Sequence, residues 1–206
     1  MPVAWPEGMP TRIAVTFCAV LLVTLAAAEN IRGVKFSEFT FPWSDPLVNG
    51  VPSAWRWMDK TPRDTLRLAK GRHDFSARSD PAHDGYLVLH STTYGDLDGD
   101  GRDEAAVELR FGTGGTASWH YLYLSTLVRG APRLLAILES GSRADGGLVK
   151  VEIRDRPLVL EFQDPERRMV DCCSEGFVRV TYLWRQGQFV ESGSRKYGDL
   201  EYSVMR

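Results

Sequence analysis

Cysteine is scarce in this chain, with three in 206 residues. Cys18 lies in an apolar N-terminal run, which leaves the adjacent pair Cys172 and Cys173 for everything downstream. Those two thiols can bond to each other, pair with another chain, or stay free. A vicinal bond closes almost no loop, so it would add little unfolded-state entropy and be easily reduced. Charge of one sign is missing too. Lys and Arg number 25 against 27 Asp and Glu, a net charge of −2. That balance excludes the basic footprint of a nucleic-acid binder and a polybasic membrane patch. His73, His83, His90 and His120 are scattered, without the H-x-x-x-H or H-E-x-x-H spacing that sets two histidines on one metal. No G-x-S-x-G elbow exists for a serine hydrolase. No segment repeats at a fixed period, which argues against a bladed propeller.

The N-terminus does carry a leader pattern. Arg12 precedes an apolar core from Ile13 to Leu25, and Ala26-Ala27-Ala28 fits the small-residue rule for signal peptidase. The apolar run ending at Ala28 is shorter than the roughly 20 residues that span a bilayer. No second long apolar run follows it. The expectation is a signal peptide at 1–28, with a retained anchor as the alternative. The mature chain would begin at Glu29, be periplasmic or extracellular, and contain no transmembrane segment. Residues 29–206 are enough for one domain with a real core and too few for two.

That domain reads as mainly β. Val107, Leu109 and Phe111 alternate with Glu108 and Arg110, the period-two pattern of a half-buried strand. Val149, Val151 and Ile153 alternate likewise, then turn at Arg154–Pro157 into Leu158, Leu160 and Phe162. Val178 to Trp184 turns at Arg185–Gln188 into Phe189–Glu191, and His120–Val128 joins Arg133–Leu138 through Arg129–Pro132. Upstream, Val34–Phe41, Thr65–Ala69 and Tyr86–Thr93 read as strands, 44–60 as a loop, and 70–84 as a polar connector. Short connections favour antiparallel neighbours. The expected fold is a single antiparallel β-meander of roughly eight to ten strands, a sandwich or partly closed barrel.

Acid and glycine concentrate in Asp96-Leu-Asp-Gly-Asp-Gly-Arg-Asp-Glu104. Asp96, Asp98 and Asp100 at alternate positions would repel one another without a cation, and Gly99 and Gly101 permit the turn that gathers them. Hard oxygen ligands of this kind suit Ca²⁺. The candidate ligands are Asp96, Asp98, Asp100, the Arg102 carbonyl and Glu104. An EF-hand needs Glu at position twelve, where Val107 stands, and helices at its flanks, so that assignment fails. The competing account is a turn without metal, tied by Asx hydrogen bonds to its own backbone. The segment from Asp96 to Val107 resembles the calcium loops of FG-GAP and VCBS-type β repeats, which read D-x-[DN]-G-D-G-x-x-D. Here Glu104 stands in place of the ninth-position Asp. The resemblance implies a bound Ca²⁺ and does not bring the propeller fold with it.

Motifs spread over 86–198 extend the resemblance to small exported bacterial proteins with no assigned activity. They include Thr113-Gly-Gly-Thr116, Trp119-His-Tyr-Leu-Tyr123, Gly141–Gly147, Asp164–Arg168 and Asp171-Cys-Cys-Ser-Glu-Gly176. This resemblance supports export and a bacterial source, and implies no activity. Thr113, Thr116, Arg143, Asp145, Asp171 and Glu175 fall at turns that could converge into a ligand patch, against ordinary turn chemistry. Trp55 and Trp57 are candidates for stacking a sugar, against core packing. The functional expectation is an exported, non-catalytic binding or cell-envelope module, braced by one structural Ca²⁺, with a protein or carbohydrate ligand. The rivals are a small hydrolase using loop carboxylates and a redox-responsive protein acting through Cys172 and Cys173.

Overall fold

In a computed structural model of the chain, residues 30–42, 65–75, 85–112, 118–142, 146–170 and 173–200 are described. They form an antiparallel β structure without α-helices. The first sheet is a five-stranded meander of β3 (Arg72–Phe75), β4 (Gly85–Gly95), β5 (Glu104–Gly112), β6 (Ser118–Val128) and β7 (Ala131–Ser142). The second contains β8 (Leu148–Ile153), β9 (Leu158–Gln163), β12 (Gly176–Arg185), β13 (Gln188–Glu191) and β14 (Lys196–Asp199), in the order β13-β12-β9-β8 with β14 also on β12. Two small hairpins complete the set: β1 (Thr40–Pro42) with β2 (Thr65–Arg67), and β10 (Arg168–Val170) with β11 (Cys173–Ser174). Among the described residues neither large sheet closes into a barrel, and the two pack on each other as in a sandwich.

The first sheet is covered on both faces, which corrects the half-buried reading of β5. One face carries Leu87, Val107, Leu109, Phe111, Tyr121 and Tyr123, which pack under Ile31, Phe36, Phe41, Leu66 and Leu68. The other carries Ala106, Leu122 and Leu124 against Leu148, Leu158 and Leu160 of the second sheet. Consequently Glu104 and Glu108, on the face turned to the second sheet, are buried along with the apolar residues. A buried carboxylate survives only if hydrogen-bonded, and both are.

The segment 34–41 is not one strand. Two 3-10 turns, Ile31–Gly33 and Phe36–Glu38, precede the short β1. The reason lies in the spacing of Val34, Phe36, Phe39 and Phe41, which skips a residue at Ser37-Glu38 and breaks the period of two. The Phe36–Glu38 turn brings Phe36, Phe39 and Phe41 onto one side, with Phe41 edge-on to Tyr123 at a centroid distance of 5.0 Å. Within the expected connector 70–84, Arg72–Phe75 is instead strand β3. It is polar because it is an edge strand, where charge is tolerated and discourages further pairing. Residues 43–64, including Trp55 and Trp57, lie outside the described residues. Trp119 and Trp184 pack against Phe111 and Phe189. No helix among the described residues is long and apolar enough to cross a membrane.

Candidate metal centre

The acidic loop caps the β4–β5 hairpin, whose last register pair is Gly95 and Glu104. The pairing of Ala105 with Ser125 on β6 brings Thr126 beside Glu104. Glu104 is 0 % exposed. Its Oε2 accepts the Leu97 N–H at 2.7 Å and the Asp98 N–H at 3.3 Å, and its Oε1 accepts the Thr126 hydroxyl at 2.9 Å. The glutamate, one methylene longer than an aspartate, thus reaches back to the second and third residues of its own loop. Leu97, drawn in by that bond, is buried in the core between the sheets.

The aspartates fold the loop from inside. Asp96 accepts the Gly99 N–H at 2.5 Å and the Gly101 N–H at 3.1 Å. Asp98 accepts the Asp100 N–H at 3.1 Å, and Asp100 accepts the Arg102 N–H at 2.8 Å. Gly99 and Gly101 have φ of +82° and +86°, the left-handed conformation that glycine adopts without a Cβ clash. These are the Asx bonds that the metal-free account anticipates. They do not exhaust the site, because each carboxylate oxygen has two lone pairs.

One oxygen each from Asp96, Asp98 and Glu104 lies within 4.8 Å of the others. Two oxygens on one Ca²⁺, each at about 2.3–2.6 Å, are separated by at most about 5 Å, so the three fit one ion. Asp100 is not in this group; it turns to Arg102, with Oδ2 3.9 Å from Nε in an exposed pair. Burial pushes the Glu104 carboxyl above the usual range; the Leu97 and Thr126 hydrogen bonds pull it down, and the Asp98 charge adds to the rise. A cation would relieve that cost by supplying the missing opposite charge.

The loop is fastened to both sides of the molecule. Arg32 pairs with Asp103 at 2.5 Å and stacks on Tyr94, tying it to the N-terminal segment. Arg156 Nη2, from the β8–β9 turn, donates to the Gly99 carbonyl at 3.0 Å. Exposed ion pairs contribute about 0–1 kcal/mol, so the buried bonds of Glu104 dominate. Beside the loop lies a cavity of about 300 Å³ lined in part by Asn30, Ile31, Arg102, Asp103 and Thr126.

Of the other sequence candidates, Thr113, Thr116, Arg143, Asp145, Asp171 and Cys172 lie outside the described residues. Glu175 is exposed, with its amide on the Arg167 carbonyl and its carbonyl accepting from Leu200, a turn position. Cys173 is half-buried on β11. Sequence reasoning missed Thr126 as a partner of Glu104 and missed a cluster of Ser91, Glu108, His90 and His120 on the first sheet. Only strand register brings these together, and no local spacing signals it. No protein-family model, curated protein or solved structure matches this chain.

Proposed function

We propose that this chain is an exported β-sandwich module in which the 96–104 loop binds one Ca²⁺ as a structural brace. The observation that carries the proposal is the convergence of Asp96, Asp98 and Glu104 within 4.8 Å around a carboxylate that is fully buried. The ion offsets the repulsion between these groups and locks the hairpin end against both sheets. We assign the ion a structural role because the carboxylates that would hold it, Asp96, Asp98 and Glu104, also bind the loop's own amides. Export rests on Arg12, the apolar run and the alanine triplet. The cavity beside the loop, polar at Asn30, Arg102, Asp103 and Thr126, suits a small polar ligand such as a sugar or a peptide group.

The test is thermal unfolding of chelator-treated protein with and without Ca²⁺. An ion at 100 times its dissociation constant adds about 2.7 kcal/mol to the state it binds. For a chain of this size that raises Tm by about 5–10 °C. Mg²⁺ should do less, since it demands a tighter octahedron and gives up water reluctantly. Equal melting in chelator and in millimolar Ca²⁺ would overturn the proposal.

A further inference from the structure

Glu108 on β5 is a second buried carboxylate, 6 % exposed, and its partners are separate from the acidic loop. Ser91 Oγ on β4 donates to its Oε2 at 2.7 Å, and His120 Nδ1 on β6 lies 2.6 Å from its Oε1. With Ser91 donating to one oxygen of the carboxylate, the other is placed to accept from His120 Nδ1, and this hydrogen-bond geometry assigns the proton to that nitrogen. In the neutral imidazole the lone pair is then on Nε2. A buried anion thus fixes both the orientation and the tautomer of His120, the arrangement by which proteins present histidine to a metal.

A second histidine sits alongside. The β4–β5 register shifts between Leu89 and Ser91, so His90 is the unpaired residue of a bulge. Its ring lies 5.8 Å from that of His120, with the planes at 67°. Two imidazoles sharing a tetrahedral ion, with metal–nitrogen distances of about 2.0–2.1 Å, have ring centroids about 5 Å apart. His90 is exposed, which leaves its side chain room to turn toward His120. His120 keeps 14 % of its side chain open to solvent, which gives an ion access. Arg110, opposite His120 in the ladder, donates from Nε to Ser118 Oγ at 2.6 Å.

We propose that His90 and His120 bind one transition-metal ion of the Zn²⁺, Ni²⁺ or Cu²⁺ class, with Glu108 as the carboxylate that orients His120 and water completing the coordination. Imidazole donors select these ions over Ca²⁺ and Mg²⁺. The site is independent of the acidic loop, and its success or failure leaves the Ca²⁺ proposal untouched.

The experiment is calorimetric titration of the full chain with Zn²⁺ and Ni²⁺ in saturating Ca²⁺, paired with electron paramagnetic resonance of the Cu²⁺ form. The expected result is one ion per chain and nitrogen hyperfine structure on copper. His90→Ala, an exposed substitution that should leave the fold intact, should abolish binding. Glu108→Gln should weaken it about 10–100-fold. His73→Ala should change nothing. Absence of binding, or binding that survives His90→Ala unchanged, would overturn the proposal.

Discussion

Arg156 lies across Gly99, so a Cβ at Gly99 would stand 1.8 Å from its Nη2. The contact joins the turn of the second sheet to the acidic loop of the first. Arg156 sits at φ 90° and its neighbour Asp155 at φ 47°, the pattern of a type I′ hairpin turn that usually takes glycine second. The loop and the turn therefore each hold a conformation suited to the other.

Substituting the two loop glycines should separate strain from contact. Gly101→Ala meets no neighbour within 4 Å, so it should cost only the left-handed backbone, about 1–2 kcal/mol. Gly99→Ala carries the same strain and must also displace Arg156, so it should cost about 1 kcal/mol more. Urea unfolding in chelator measures both. Equal costs would show that the Arg156 contact contributes nothing.

Arg156 itself offers a balance of two effects. Arg156→Ala loses the bond to Gly99 and keeps the strained turn, so it should destabilise by about 1 kcal/mol. Arg156→Gly loses the same bond but relaxes the turn by about 1 kcal/mol, so it should be nearly neutral. A glycine variant as unstable as the alanine variant would contradict this account.

Glu104 is the anchor of the loop. Glu104→Ala strands the Leu97 and Asp98 amides and the Thr126 hydroxyl, at a cost of about 2–4 kcal/mol. Thr126→Val removes one of those bonds and should cost about 1 kcal/mol. Denaturant titration of the metal-free proteins reads both values. A loss from Glu104→Ala no larger than that from Thr126→Val would remove Glu104 from this role.

Glu108 sets a pH dependence. Its folded carboxyl titrates below the unfolded value of about 4.3. Its contribution is therefore fully present above the unfolded value and lost as pH falls through the folded one. Glu108→Gln should be less stable than the parent at pH 7, by about 1–3 kcal/mol, and the gap should close on acidification. A gap that stays constant down to acid pH would contradict the assignment.

The proposed export is tested by mass spectrometry of protein recovered from its native host. The mature chain should begin at Glu29, and the non-reduced digest should hold Cys172 and Cys173 in one peptide with both thiol hydrogens missing. A soluble chain still carrying Met1 or Met9 would contradict cleavage. Alkylation of both thiols without reductant would contradict the vicinal bond.

The legible parts of the sequence were the local ones. The acids and glycines from Asp96 to Glu104 lie in a single turn, so their spacing forecasts the hairpin cap and the gathering of Asp96, Asp98 and Glu104, but not that Asp100, expected with them, turns to Arg102 instead. The turns at Arg129–Gly130 and Asp155–Arg156 were equally local, since alternation on either side set the register. Strands β3 and β14 escaped because Arg72-His-Asp and Lys196-Tyr-Gly-Asp carry edge chemistry rather than a core face. Glu108 looked solvent-facing because alternation cannot reveal that a second sheet covers the polar side. His90 and His120 looked unrelated because a bulge and two strand pairings, rather than spacing, set their rings together.

The most direct measurement is calorimetric titration of chelator-treated full chain with Ca²⁺, run in parallel on Asp98→Ala. The account predicts one Ca²⁺ per chain at micromolar affinity or better, and loss of binding in an Asp98→Ala protein that remains folded. No uptake at millimolar Ca²⁺, or equal uptake by parent and variant, would contradict it and leave the loop a turn held by its own hydrogen bonds.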